Sequence, residues 1–190
     1  MRENRIGRER IGGLGLPGAA LARALGWIGL ALVIFTYSGC STMGVPSRSG
    51  QSLRVSEAAD QGDAARRASM RLVVQGLDAD GEYQFRRAQG SYERAIRVDP
   101  TNPYAYLALA RHHLDGGDYT EAANLIDQAD ALFEAEGIRS PRVEVHLMGL
   151  RGWEYDRAGR SSEAATLRNR AAAQAPDVWG DGYLRPEELR

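Results

Sequence analysis

Two stretches of this chain repeat one another 34 residues apart, and that recurrence constrains its fold more than any other feature. Ala88, Tyr92 and Ala95 stand at i, i+4 and i+7, and Ala122, Ile126 and Ala129 stand at the same offsets. Residues so spaced lie on one face of a helix. Ahead of Ala122, Tyr106, Leu109, Ala110 and His113 mark one face of an earlier helix, and GGDY, Gly116 to Tyr119, reads as the turn between the two. A pair of helices recurring at fixed length predicts stacked hairpins. Beyond the leader no stretch alternates apolar and polar residues as a strand would, and Ala is abundant.

A third copy is marked by Gly152, Tyr155, Gly159, Ala164, Ala171 and Pro176. Ala122 to Ala164 spans 42 residues, so eight are extra, and EAEGIRSP, Glu134–Pro141, is expected to hold them. In the first copy Leu72 and Gly76 fit an opening helix, while DADG, Asp78–Gly81, predicts an early turn. From about Ser69 to Asp177 the pattern resembles the tetratricopeptide repeat. The resemblance implies an all-α fold, a short solenoid of about three helical hairpins spanning residues 63–178. Two positions depart from the family pattern: His113 stands where an aromatic residue is usual and Glu134 where a proline is. Arg151 and Arg168 fill positions that are usually apolar, which predicts looser packing of the third unit or a cap over it.

In that family the first helix of each hairpin lines a concave, partner-binding face. Carried onto this sequence, the groove positions are Tyr104, Leu107, Arg111, Leu114 and Asp115 in the second unit, and His146, Gly149, Trp153, Asp156 and Arg157 in the third. Aromatic anchors among guanidinium groups resemble an interface composition. Trp153 is expected as an exposed partner anchor flanked by Arg157. The tail, residues 179–190, contains Trp179 and Tyr183 among Gly and Pro. It is expected either to pack back over the last repeat or to serve as a ligand for another protein.

The N-terminal segment addresses location. Arg2, Arg5, Arg8, Arg10 and Arg23 precede fourteen largely apolar residues, Ala24 to Tyr37, and then Ser38, Gly39 and Cys40, the only cysteine. Fourteen residues fall short of the roughly 20 a spanning helix needs, and suit a signal peptide. The arrangement resembles a bacterial lipobox, which implies cleavage after residue 39 and lipid attachment at Cys40. An uncleaved signal anchor is the other reading. Ser41 after the cysteine resembles the sorting state that proceeds to the outer membrane. Residues 40–62, with STMGVPSRSGQS, read as a lipidated flexible tether.

Charge and chemistry are otherwise plain. The formal charge is −1, and beyond residue 39 it is −4, from 19 Arg against 23 acidic residues. That balance gives no argument for nucleic acid. One cysteine rules out an internal disulfide and a multi-thiolate zinc site. His112 and His113 are adjacent and point to different helix faces, with His113 expected to pack and His112 to be solvated. DADGE lacks the further ligands of a calcium loop, and no serine sits in GxSxG. These observations point to no catalytic residue, no cofactor and no small-molecule substrate. The expected protein is a periplasmic adaptor held to the outer membrane, binding a protein of envelope, pilus or secretion assembly. A tethering or regulatory subunit for a cell-wall enzyme is the alternative.

Overall fold

The computed structural model describes residues 53–190, and every regular element among them is a helix. The leader, Cys40 and most of the expected tether lie outside the described residues. The helices are α1 (Val55–Ala58), α2 (Ala64–Gly81), α3 (Phe85–Val98), α4 (Pro103–Gly116), α5 (Tyr119–Ala135), α6 (Pro141–Arg157), α7 (Ser161–Gln174), α8 (Pro176–Trp179) and α9 (Pro186–Leu189). Helices α2/α3, α4/α5 and α6/α7 pack as three antiparallel hairpins, stacked in chain order.

Local chemistry sets the boundaries. Asp63, Asn102, Asp118 and Ser140 cap α2, α4, α5 and α6, each accepting a hydrogen bond from a first-turn N–H. Pro103 and Pro141 stand at the first helical position, where the missing N–H costs nothing. Gly117 and Gly159 turn the second and third hairpins with φ of 87° and 80°. The first hairpin makes this left-handed step with Tyr83, at φ 59°, so a bulky residue occupies a conformation that favours glycine.

The hairpins close on small residues. Ala88, Ala95, Ala110, Ala122, Ala129, Ala164 and Ala171 are all buried. Gly76 meets the Tyr92 ring so closely that a Cβ there would lie 2.3 Å from it. These are positions the recurrence singled out, and helix axes approach there to a distance that larger side chains would prevent.

Three expectations are corrected. DADG is not a turn: Asp78–Gly81 completes α2, and the chain reverses at Glu82–Gln84. The eight extra residues are not confined to Glu134–Pro141. Helices α5 and α6 are each 17 residues against 14 for α3 and α4, and the loop and turn around α6 each add one. Finally, the stretch from Leu53 to Gly62, expected as the end of the tether, is not free chain. Leu53 and Val55 are buried in the core, and α1 packs on α2.

Candidate concave interface

The first helices of the three hairpins bring most of the expected groove residues onto one face. The face is already covered. Leaving α7, the chain forms α8 and then crosses back over α6, α4 and α2 as residues 180–190. Trp179 lies over α6, where Gly149 leaves room for the ring: a Cβ at 149 would fall 2.3 Å from it. His146 meets the same ring edge-on, centroids 6.0 Å apart. Tyr183 stacks edge-on against Trp153 at 5.2 Å. The Leu184 carbonyl accepts a hydrogen bond from Arg111 Nη1 at 3.2 Å. Helix α9 then lies against α2, the Arg190 guanidinium pairs with Asp78, and the Arg190 carbonyl accepts from the Ser56 N–H at 2.9 Å.

The expected exposure of the groove is therefore corrected. Leu107, Arg111, Leu114 and His146 are buried, and Trp153 is only 4% exposed. Trp153 does sit on the concave helix, but the tail makes it part of the core and not a free anchor. Its Nε1 finds no acceptor among the described residues. Met70, Val73 and Leu77, one 34-residue period before Tyr104, Leu107 and Arg111, are buried too. Sequence reasoning did not assign these three to the groove. Their apolar character on a helix that already packs α3 was the available signal that something covers them.

The remaining positions divide. Tyr104 lies at the far end, edge-on to Phe133 at 5.1 Å, beside Arg66, Met70 and Glu136. Asp156 pairs with Arg168 at 3.4 Å. Arg111, Leu114, Asp115, Trp153 and Arg157 line the part of the groove that stays open, a cleft of about 450 Å³ walled by Tyr83, Tyr183 and residues 184–187 of the tail. At its mouth Tyr83 is 81% exposed and Phe85 49%, their rings edge-on at 6.2 Å. Sequence reasoning missed both, because Tyr83 stands in the turn of the first hairpin and Phe85 opens its second helix, neither of them a groove position.

The floor of the cleft is a buried polar cluster. The carboxylate of Asp80 accepts from Arg111 Nη2 at 2.7 Å, from the Tyr92 hydroxyl at 3.0 Å and from His112 Nδ1 at 2.8 Å. The last bond requires the His112 proton on Nδ1 and corrects the expectation of a solvated His112. Burial pushes the Asp80 carboxyl up, but the His112 bond and the Arg111 charge outweigh it and hold it below the ordinary range. Tyr92 is driven well above its usual value, chiefly by burial and then by the Asp80 charge. The cluster joins α2, α3 and α4, and one Arg111 donor, Nε, is left without a partner among the described residues. His113 is half-buried, and burial lowers its pKa with help from His112. Among the described residues, no group of three or more His, Cys, Asp or Glu side chains is arranged to hold a metal ion.

The arrangement offers shape, aromatic surface and hydrogen-bond donors, which is the chemistry of recognition. No curated protein and no solved structure gave a match. Residues 81–135, from the end of α2 through α5, match the family model of the tetratricopeptide repeat, a module that binds proteins. Residues 81–135 thus carry a tetratricopeptide repeat, and a helical hairpin is stacked on either side of it.

Proposed function

We propose that this protein is a lipid-anchored adaptor of the bacterial envelope, which holds a protein partner of an envelope, pilus or secretion assembly at the open cleft of its concave face. The observation that carries the reading is that cleft, where the exposed rings of Tyr83 and Phe85 stand beside Arg157 on a repeat module. Aromatic and arginine side chains around a partly closed hollow are the residue types that dominate binding energy at protein interfaces. Arg157 forms no ion pair among the described residues, so its guanidinium is available to an incoming carboxylate or carbonyl. Anchoring rests on the sequence of the leader and Cys40, and the outer membrane on Ser41.

Site-specific photo-crosslinking in cells tests the binding reading. A photoreactive residue in place of Tyr83 should give a discrete adduct, and one in place of the exposed Asn124 on α5 should not. No adduct at 83, or equal adducts at both, overturns the reading. Mass spectrometry of the adduct separates an assembly protein from a cell-wall enzyme. Labelling with a palmitate analogue tests the anchor: the wild-type chain should label and Cys40→Ser should not. Equal labelling, or none in the wild type, removes the lipoprotein reading.

A further inference from the structure

We propose that residues 180–190 are a resident ligand of the groove, and that the groove's external partner is an extended peptide segment of the same chemistry that displaces them. The inference rests on the reading of the concave face as the binding surface.

The segment is built as a peptide lying in a site. It has no regular element longer than the single turn α9. It buries two aliphatic side chains, Leu184 and Leu189, five residues apart. Around them the outward-facing charges satisfy one another. Arg185 pairs with Asp181 and with Glu188, and the Arg185 N–H donates to the Glu188 carboxylate at 2.7 Å. This internal network fixes the segment's shape before it docks, which lowers the entropy lost on binding. Direct polar ties to the hairpins and α1 are few: Arg111 to the Leu184 carbonyl, Arg190 to Asp78, and Ser56 to the Arg190 carbonyl. None of them reads a side chain of residues 180–189. Arg111 reads a main-chain carbonyl, a group that any peptide presents.

What lies beneath is apolar core that Leu184 and Leu189 complete, but it is not sealed along its whole length. The groove keeps an open cleft at the edge of the segment, and Tyr183 and residues 184–187 form one wall of it. A partner held in that cleft is already in contact with what it must replace. Gly182, at φ 83°, gives the chain a pivot just after α8, while Trp179 stays seated over Gly149. The chemistry to be matched is thus two large aliphatic side chains five residues apart, with a main-chain carbonyl free to accept from Arg111 next to the first.

The test uses the full mature chain and a fluorescein-labelled peptide of residues 180–190. Leu184→Asp/Leu189→Asp should empty the groove of its own segment without unfolding the hairpins. The double variant should keep the helical circular dichroism of the wild type and bind the peptide at least ten-fold more tightly than the wild type does. A peptide carrying Leu184→Asp should not bind. Loss of helical signal in the double variant overturns the proposal, because the segment would then be part of the fold. A folded variant that ignores the peptide, or that binds it no better than the wild type, overturns it as well. Neither failure touches the adaptor reading, which stands or falls on crosslinking from position 83.

Discussion

The second and third hairpins share a plan and are finished by different means. In the second, Asn102 and Asp118 cap both helices, and α5 buries Ala122, Leu125, Ile126, Ala129 and Phe133. In the third, α7 starts at Arg160 without a side-chain cap and buries only Ala164 and Ala171. Arg151 and Arg168 fill positions that are apolar in the family pattern. They turn outward to Asp127 and Asp156, and the Arg168 guanidinium lies 5.8 Å from the Tyr183 ring. What the third hairpin lacks in its own sequence it obtains from α8 and the tail. A middle repeat is buried by neighbours on both sides, whereas a terminal one must be closed by something else.

The largest expected effect removes that closure. Trp179→Ala should destabilise the protein by about 3–5 kcal/mol, the usual range for a buried aromatic, as read by urea denaturation. Hydrogen exchange should show α7 losing protection before α4. Equal loss in both would mean that the third hairpin is not a separate unit of stability.

His146 gives a pH test of the same region. Burial lowers its pKa to about 4 from the ordinary 6.5, partly offset by the Arg142 carbonyl that accepts from its Nδ1. The folded state therefore binds the proton more weakly than the unfolded chain, so stability is whole above about 6.5 and falls as the pH drops toward 4. At about 1.4 kcal/mol per pH unit the loss amounts to about 3 kcal/mol. Asp80, whose folded pKa is depressed, loses its contribution only below about 4. His146→Leu should flatten the slope between pH 6.5 and 4. An unchanged slope would show that the third hairpin does not hold a neutral histidine.

Smaller effects belong to the second hairpin. Ala122 is fully buried at the crossing, and Ala123 beside it is half-buried. Ala122→Leu should cost about 1–3 kcal/mol by overpacking, and Ala123→Leu clearly less. Equal melting temperatures would break the shared register. Asp118→Ala should cost about 1 kcal/mol through loss of the α5 cap, while Arg160→Ala, at the uncapped start of α7, should cost clearly less. A larger effect at Arg160 would give a stabilising role to its cation–π stack on Tyr155, 3.6 Å away, and its ion pair with Glu163 at 2.7 Å.

The hairpins were legible in the sequence because helix crossings demand small side chains at fixed spacing. Gly76, Ala88, Ala110 and Ala122 carry that demand directly. Gly117 and Gly159 announce their turns in the same way, whereas Tyr83 hid the first turn because nothing in its identity signals a positive φ. The groove positions were legible as places on a helix and not as surfaces. Whether Trp153 is bare or covered depends on where Tyr183 travels, and a segment of Gly, Pro and charge has no periodicity from which its path can be read. The Asp80 cluster was invisible for a related reason: its members come from three helices and meet only after the hairpins stack.

The Ser56 N–H bonded to the Arg190 carbonyl has a mechanical consequence. It joins the start of the described chain to its last residue, backbone to backbone. Tension on the polypeptide upstream of Leu53 reaches that bond together with Leu53 and Val55, which are packed in the core. A hydrogen bond loaded at its end opens alone, ahead of the many that a helix shares along its length. Residue 190 thus shares directly in any pull on the chain upstream of Leu53.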